Sequence, residues 1–170
     1  MGTVTAVSDD ALADLIADLT QRGLTMATAE SLTGGGLVAR LVDVPGASHV
    51  VRGGACTYAV DTKASVLGVS ESQLALTGPV DEQVARQMAR GARELFHADI
   101  GVSTTGVAGP GPADGFPAGT VHIACAHPAG EEHRLLHLDG DRAAVRAGAI
   151  DAAIALVRDV LDFAGEQAGD

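Results

Sequence analysis

A serine ahead of a glycine run, one tyrosine and one lysine are the residues of this chain with the most chemistry in them. The serine is Ser31, in TAESLTGGG (28–36). The other two share the segment TYAVDTK (57–63): Tyr58 is the only tyrosine and Lys63 the only lysine, the ten other basic side chains being arginine. Arginine keeps its proton in proteins, whereas lysine gives it up once its surroundings lower its pKa. A base is therefore one reason to place a lysine where arginine is otherwise used; a chance survivor on the surface is the other. Such a base needs a group to activate, and Ser31 is the best candidate nucleophile. Ser31 is equally the right residue type for a helix N-cap.

The elements around these residues set what they can do. LTMATA (24–29) reads as a strand, and Leu37, Val38, Leu41 and Val42 have helical spacing, so Ser31 falls at a strand-to-helix turn. There the N–H groups of Leu32, Thr33, Gly34 and Gly35 are expected to be free to hold an oxyanion. HVVRGGACTYA (49–59) reads as a strand whose glycine pair marks a bulge or a close backbone approach. DTKASVLGV is a short helix or turn. A helix over 9–22, capped by Ser8 or Asp9 and stopped by Gly23, buries Leu12, Leu15, Ile16 and Leu19. A second, over 81–97, is expected to bury Val84, Met88, Ala92 and Leu95, and a last one runs over 141–163, with 164–170 fraying. ADIGVSTT (98–105) is a buried strand, and TVHIACA with EEHRLLHL forms a hairpin. Between them lies the glycine- and proline-rich loop 106–119, long enough to be functional. At its start the stretch TTGVAGPGP offers Thr105, Gly106 and Gly109 as donors to a sugar or phosphate. Arg142 and Arg146, four residues apart, either clamp a phosphate or carboxylate or form a solvated basic face. Interleaved helices and strands imply one three-layer α/β/α domain over 1–170, with a mixed, mostly parallel sheet and an ordered core over about 8–163.

Composition narrows the function. With 22 acidic against 11 basic residues, the net charge is −11, which argues against a nucleic-acid partner. Aromatics make up 2%, so the core must be aliphatic. No apolar run approaches the ~20 residues of a membrane helix, and MGTVTAVSDD has no signal-peptide pattern. Cys56 and Cys125 lie in apolar runs without metal spacing and are expected to be buried thiols in a reducing cytosol. GGGLVA (34–39) fits a dinucleotide fingerprint only loosely, because no acidic residue stands about 20 positions on. The loop has no P-loop Lys-Ser/Thr, and no G-x-S-x-G elbow supports a Ser-His-Asp triad. His122, His127, His133 and the other histidines are scattered, with no third ligand for a metal beside His133 and His137.

Taken together, TAESLTGG, VPGAS, GGACTYAVDTK, TTGVAGPGP, PAGTVHIA and GDRAAVR stand in an order and spacing that resembles the CinA C-terminal domain family, over about 8–163. That family contains the nicotinamide-nucleotide amidohydrolases. The resemblance implies a three-layer α/β fold and hydrolysis of the carboxamide of nicotinamide mononucleotide to nicotinate mononucleotide and ammonia. It implies no cofactor and no metal, cytoplasmic pyridine-nucleotide salvage, and a homo-oligomer. The chain is expected to lack the molybdopterin-binding-like N-terminal domain that some members carry. By the resemblance Ser31 is the nucleophile and Lys63 its base, with Tyr58 in the relay; Ser48, of the Pro-Gly-x-Ser turn, is the runner-up nucleophile. Substrate contacts would come from Glu30, Thr33, Gly34 and Gly35 around the serine. Thr105, Gly106 and Gly109 in the loop, with Arg142 and Arg146, would supply the rest. Three departures stand out: Leu32 where members commonly have Cys, Ala59-Val60 where they have Ser-Asn, and a loop without the adjacent glycine pair after Gly-Pro.

Overall fold

The computed structural model describes residues 4–167, with side chains described for 4–163. Its first helix, α1 (Asp9–Arg22), starts where Ser8 Oγ accepts the Ala11 N–H and ends at Gly23, whose φ of 67° no β-carbon opposes. Leu12, Leu15, Ile16 and Leu19 form its buried face, as their spacing requires. Strand β1 (Met26–Glu30) is buried along its whole length. Helix α2 (Gly36–Val42) carries the chain past a 3₁₀ turn, Ala47–His49, into β2 (Val51–Cys56). Then come α3 (Val60–Leu67), α4 (Glu71–Thr77) and α5 (Glu82–Phe96), followed by β3 (Ile100–Gly106). The hairpin β4 (Thr120–His127) and β5 (Gly130–His137) leads into α6 (Arg142–Gln167). Of the segment 164–170, expected to fray, 164–167 continue α6, and 168–170 lie outside the described residues.

The five strands stand in the order β2-β1-β3-β4-β5. β1 pairs in parallel with β2 and β3, and β4 pairs antiparallel with β3 and β5. The sheet is mixed and mostly parallel in strand direction, as expected: β2, β1, β3 and β5 run one way, and β4 alone runs against them. Helices α1, α2 and α6 cover one face with an aliphatic core that includes Leu37, Leu41, Val145, Ile154 and Val157. Helices α3, α4 and α5 cover the other, through Leu67, Val84, Met88 and Ala92 against Ala27 and Ala29. Leu95, expected in this core, is 45% exposed. Phe96 takes the inward place in the last turn of α5, packed against this core.

The glycine pair of β2 behaves as both expectations had it. The register with β1 slips between Met26 and Ala27, leaving Arg52 as an extra residue. A β-carbon on Gly53 would lie 2.6 Å from the Phe96 ring of α5, and one on Gly54 would lie 2.3 Å from Thr28 Oγ1 of β1 and 3.1 Å from Val38 of α2. The strand is therefore pressed against both layers. At Gly91 of α5 a β-carbon would lie 2.1 Å from the Leu67 carbonyl oxygen, so α3 and α5 touch through backbone there. That contact fixes the helix bearing Lys63.

Candidate active site

Strand β1 turns the chain around at its carboxyl end, between two parallel neighbours. Glu30 is in register with Cys56 of β2 and Thr104 of β3. The path leaves β1 for β2 on one side and later returns to β3 on the other. Ser31 thus sits where strand order reverses, the usual place for a ligand in such sheets. Its N–H donates to the Thr104 carbonyl at 3.0 Å, and the Thr57 N–H donates to the Glu30 carbonyl at 2.8 Å. Three strand ends are thereby stitched around the serine.

The glycine-rich turn after Ser31 is held by Glu30. Its buried carboxylate accepts Thr33 Oγ1–H at 2.7 Å, Thr28 Oγ1–H at 3.1 Å, and the N–H groups of Gly35 (3.0 Å), Leu37 (3.0 Å) and Val38 (2.8 Å). This is a carboxylate at a helix start, placed to satisfy donors the helix cannot. Glu30, and not Ser31, caps α2. The helix itself begins only at Gly36, because Gly34 and Gly35 take positive φ of 59° and 93°.

Lys63 comes from α3, on the opposite layer. Its side chain is fully buried. Nζ donates to Ser31 Oγ at 3.0 Å and to the Thr57 carbonyl at 2.5 Å. The path from helix to serine is short because α3 starts four residues after β2 ends and Gly91 lets it lie close to α5. Burial disfavours the ammonium and brings the Lys63 pKa down to about 8, although the Asp114 carboxylate pulls it back up. Buried lysine with a low pKa, within hydrogen-bond reach of a serine hydroxyl, is the arrangement of a base and its nucleophile.

The rim is formed by Tyr58, Arg142 and the loop after β3. They enclose a cleft of 130 Å³ with Leu32, next to Ser31, as one wall. Arg142 Nη1–H donates to the Gly109 carbonyl at 2.6 Å, and Nη2–H to the Tyr58 hydroxyl at 3.2 Å. Arg142 is exposed, with donors to spare for an anion.

Several expectations need correction. Glu30 has its carboxylate committed within the protein, as do the N–H groups of two residues in the expected oxyanion set. Gly35 gives its N–H to Glu30, and Gly34 gives its to the Ser31 carbonyl at 3.0 Å. The N–H groups of Leu32 and Thr33 have no partner among the described residues. The Thr33 hydroxyl is spent on Glu30 and Thr104. Arg146 is no free anion clamp: Nε–H and Nη2–H donate to the Leu32 and Thr33 carbonyls at 3.0 and 2.9 Å, bracing the turn. Buried Thr105 donates its hydroxyl to the Pro79 carbonyl at 2.8 Å. At Gly106 a β-carbon would lie 2.5 Å from the Thr120 carbonyl oxygen, so its role is strand packing. Gly109 does line the cleft. Tyr58 is 63% exposed, and its hydroxyl meets Arg142, not Ser31 or Lys63, so it belongs to the rim and not to a proton relay. Ser48 is exposed in the 3₁₀ turn before β2, at the opposite end of the sheet from Ser31, a strand length of roughly 20 Å away. Cys56, expected to be buried, is exposed at the end of edge strand β2; Cys125 is buried as expected.

Three participants had no sequence signal of their own. Thr57 positions Lys63 through a carbonyl, which any residue could supply. Thr104 does the same for the Ser31 N–H. Asp114 lies in a loop with no periodicity to place it.

The comparisons agree with this architecture. The model of the family described as CinA C-terminal domain matches residues 9–161. A CinA-like protein of Frankia casuarinae is 48% identical over 155 residues, which are 91% of this chain and 36% of that protein. One of Geobacter metallireducens is 46% identical over 127 residues, 74% of this chain and 31% of the relative. The chain thus spans about a third of the length of these curated relatives. Among solved structures, the competence/damage inducible protein CihA of Agrobacterium tumefaciens superposes with a TM-score of 0.86 at 34% identity, covering 94% of this chain and 98% of that one. A CinA superfamily protein of Escherichia coli also gives 0.86, at 32% identity, covering 93% and 95%. The five-stranded α/β domain with Ser31 at its switch point belongs to the CinA C-terminal domain family.

Proposed function

We propose that this chain is an amidohydrolase that removes the amide nitrogen of nicotinamide mononucleotide, giving nicotinate mononucleotide and ammonia. The observation that carries this reading is the buried Lys63 Nζ, 3.0 Å from Ser31 Oγ, with its pKa brought down to about 8. A module that only held a nucleotide would have no use for a buried lysine aimed at a serine.

Neutral Lys63 accepts the Ser31 proton as Oγ attacks the carboxamide carbon. The N–H groups of Leu32 and Thr33 are the donors left for the oxyanion. The tetrahedral adduct collapses as Lys63 returns the proton to the departing nitrogen, and ammonia leaves. Water, deprotonated by Lys63, then hydrolyses the Ser31 ester and restores the hydroxyl. Arg142, at the rim, would hold the phosphate. The same reading makes the protein a cytoplasmic homo-oligomer in pyridine-nucleotide salvage. No helix among the described residues is long and apolar enough to cross a membrane.

The test is ammonia release from nicotinamide mononucleotide by the wild type and by Lys63→Arg. Arginine keeps the charge and cannot act as a base. Release by the wild type and a loss of at least about 10³-fold in the variant is the expected result. Equal rates would remove Lys63 from the mechanism, and no release by either protein would overturn the deamidase reading.

A further inference from the structure

The two N–H groups left for an oxyanion, those of Leu32 and Thr33, each belong to a peptide unit whose carbonyl is held from behind. The Leu32 N–H shares its peptide with the Ser31 carbonyl, which accepts the Gly34 N–H at 3.0 Å. The Thr33 N–H shares its peptide with the Leu32 carbonyl, which accepts Arg146 Nε–H at 3.0 Å. No other donor among the described residues bonds to the Leu32 carbonyl. The other arm of the guanidinium, Nη2–H, donates at 2.9 Å to the Thr33 carbonyl, which also accepts the Gly36 N–H at 3.0 Å. Arg146 is half-buried and joins no ion pair among the described residues, so its charge is directed at the turn. Packing fixes its reach. Ile150, one helical turn further along the same face of α6, meets the start of α2: a β-carbon on Gly36 would lie 2.8 Å from Ile150 Cδ1. The bare backbone of Gly36 lets α6 lie close enough for Arg146 to grip the turn.

A planar trans peptide carries its N–H and its C=O on opposite sides. A guanidinium bonded to the Leu32 carbonyl therefore holds the Thr33 N–H facing away from Arg146. It also polarises that peptide, so the N–H becomes a stronger donor. Without Arg146 the Leu32–Thr33 peptide loses the one bond to its carbonyl and is free to rotate, turning the N–H out of place. Resting on the deamidase reading, we infer that Arg146 is a positioning residue for the reaction: it sets the direction and donor strength of the Thr33 N–H that receives the oxyanion. Its bonds go to the carbonyls of the turn and not to Ser31 Oγ or Lys63, so it acts on the transition state through the backbone.

The test compares Arg146→Ala and Arg146→Lys with the wild type on nicotinamide mononucleotide. In Arg146→Ala, kcat should fall about 10²-fold while KM stays within about twofold, because the donor is needed only once the oxyanion forms. Arg146→Lys keeps the charge but not the two-armed fork, so it should recover only part of that loss; it carries the same comparison if the alanine variant does not fold. Guanidinium at a concentration too low to denature should raise the kcat of Arg146→Ala severalfold, and the same concentration of sodium chloride should not. A raised KM with unchanged kcat would make Arg146 a substrate ligand. A kcat loss that tracks a lower Tm and resists guanidinium would make it a brace for folding. Either result overturns the inference. A second readout needs no nucleotide: the rate at which a fluorophosphonate labels Ser31, followed by mass. There Oγ bonds to phosphorus, fluoride leaves, and Lys63 takes the hydroxyl proton. Labelling should slow in Arg146→Ala by a factor similar to that in kcat. Slowed labelling alongside a wild type that releases no ammonia would overturn the deamidase reading and uphold Arg146. Equal labelling rates would overturn the inference while ammonia release still upholds the deamidase reading.

Discussion

Lys63 is where sequence and structure meet most directly. Its singularity among ten arginines was visible before any fold, and burial against Ser31 and Thr57 gives that singularity a physical basis. Because burial lowers its pKa to about 8, the neutral form is the minority at pH 7 and the majority above pH 8. The proposed reaction needs that neutral form. The kcat/KM of the wild type should therefore rise with pH through a midpoint near 8 and level off above it, as a rate profile on nicotinamide mononucleotide will report. A flat profile between pH 6 and 9 would be inconsistent with lysine as the base. Arg142 tests the rim in the same way. On the proposed reading Arg142 would hold the phosphate in ground state and transition state alike, so Arg142→Ala should raise KM for the nucleotide about tenfold with little change in kcat. The neighbouring acids and hydroxyls were less legible. Glu30 reads in the sequence as a polar residue beside the nucleophile. Only the fold reveals that its carboxylate turns back to collect three backbone N–H groups.

At the scale of elements, periodicity and end signals located α1, α5, α6 and all five strands. They are strong where one face is buried and the ends are capped. They failed where local chemistry overrides the pattern. Helix α2 starts at Gly36, well after Ser31, because two left-handed glycines and the Glu30 carboxylate build a turn first. Helix α4 has no buried residues and so left no apolar stripe to read. This turn makes a specific demand. Glu30→Gln would turn an amide N–H₂ toward backbone donors, and it should cost about 2–3 kcal/mol in urea unfolding. The joint between α3 and α5 makes another. Gly91→Ala would put a β-carbon 2.1 Å from the Leu67 carbonyl oxygen. It should destabilise by about 1–3 kcal/mol and, by moving α3, slow turnover well beyond what the stability loss explains. Denaturant curves and kcat measured on the same preparation will separate the two effects.

Across the whole molecule, the site is a cost that the two aliphatic layers carry. A buried lysine whose pKa falls from 10.5 to about 8 penalises the folded state by about 3 kcal/mol at pH 7. The folded protein binds this proton less tightly than the unfolded chain does. The Lys63 contribution therefore makes stability rise between pH 8 and 10.5, and its penalty is full below pH 8. Lys63→Met keeps the length of the side chain and removes the charge. It should raise Tm at pH 7 while abolishing activity, and the gain should shrink toward pH 10. A lower Tm at pH 7 would mean that the bonds to Ser31 and Thr57 outweigh the cost of burial. The overall architecture was legible from interleaved helices and strands. The strand order was not, because it depends on which neighbour the hairpin docks against, and that is settled by packing far along the chain.

The central claim is that Ser31 becomes acylated. The most direct measurement is to quench the wild type during turnover of nicotinamide mononucleotide and determine the mass of the peptide containing Ser31. A nicotinate-mononucleotide ester on that peptide, absent from Ser31→Ala along with the activity, is the predicted result. Undiminished ammonia release by Ser31→Ala, with no adduct in the wild type, would contradict it.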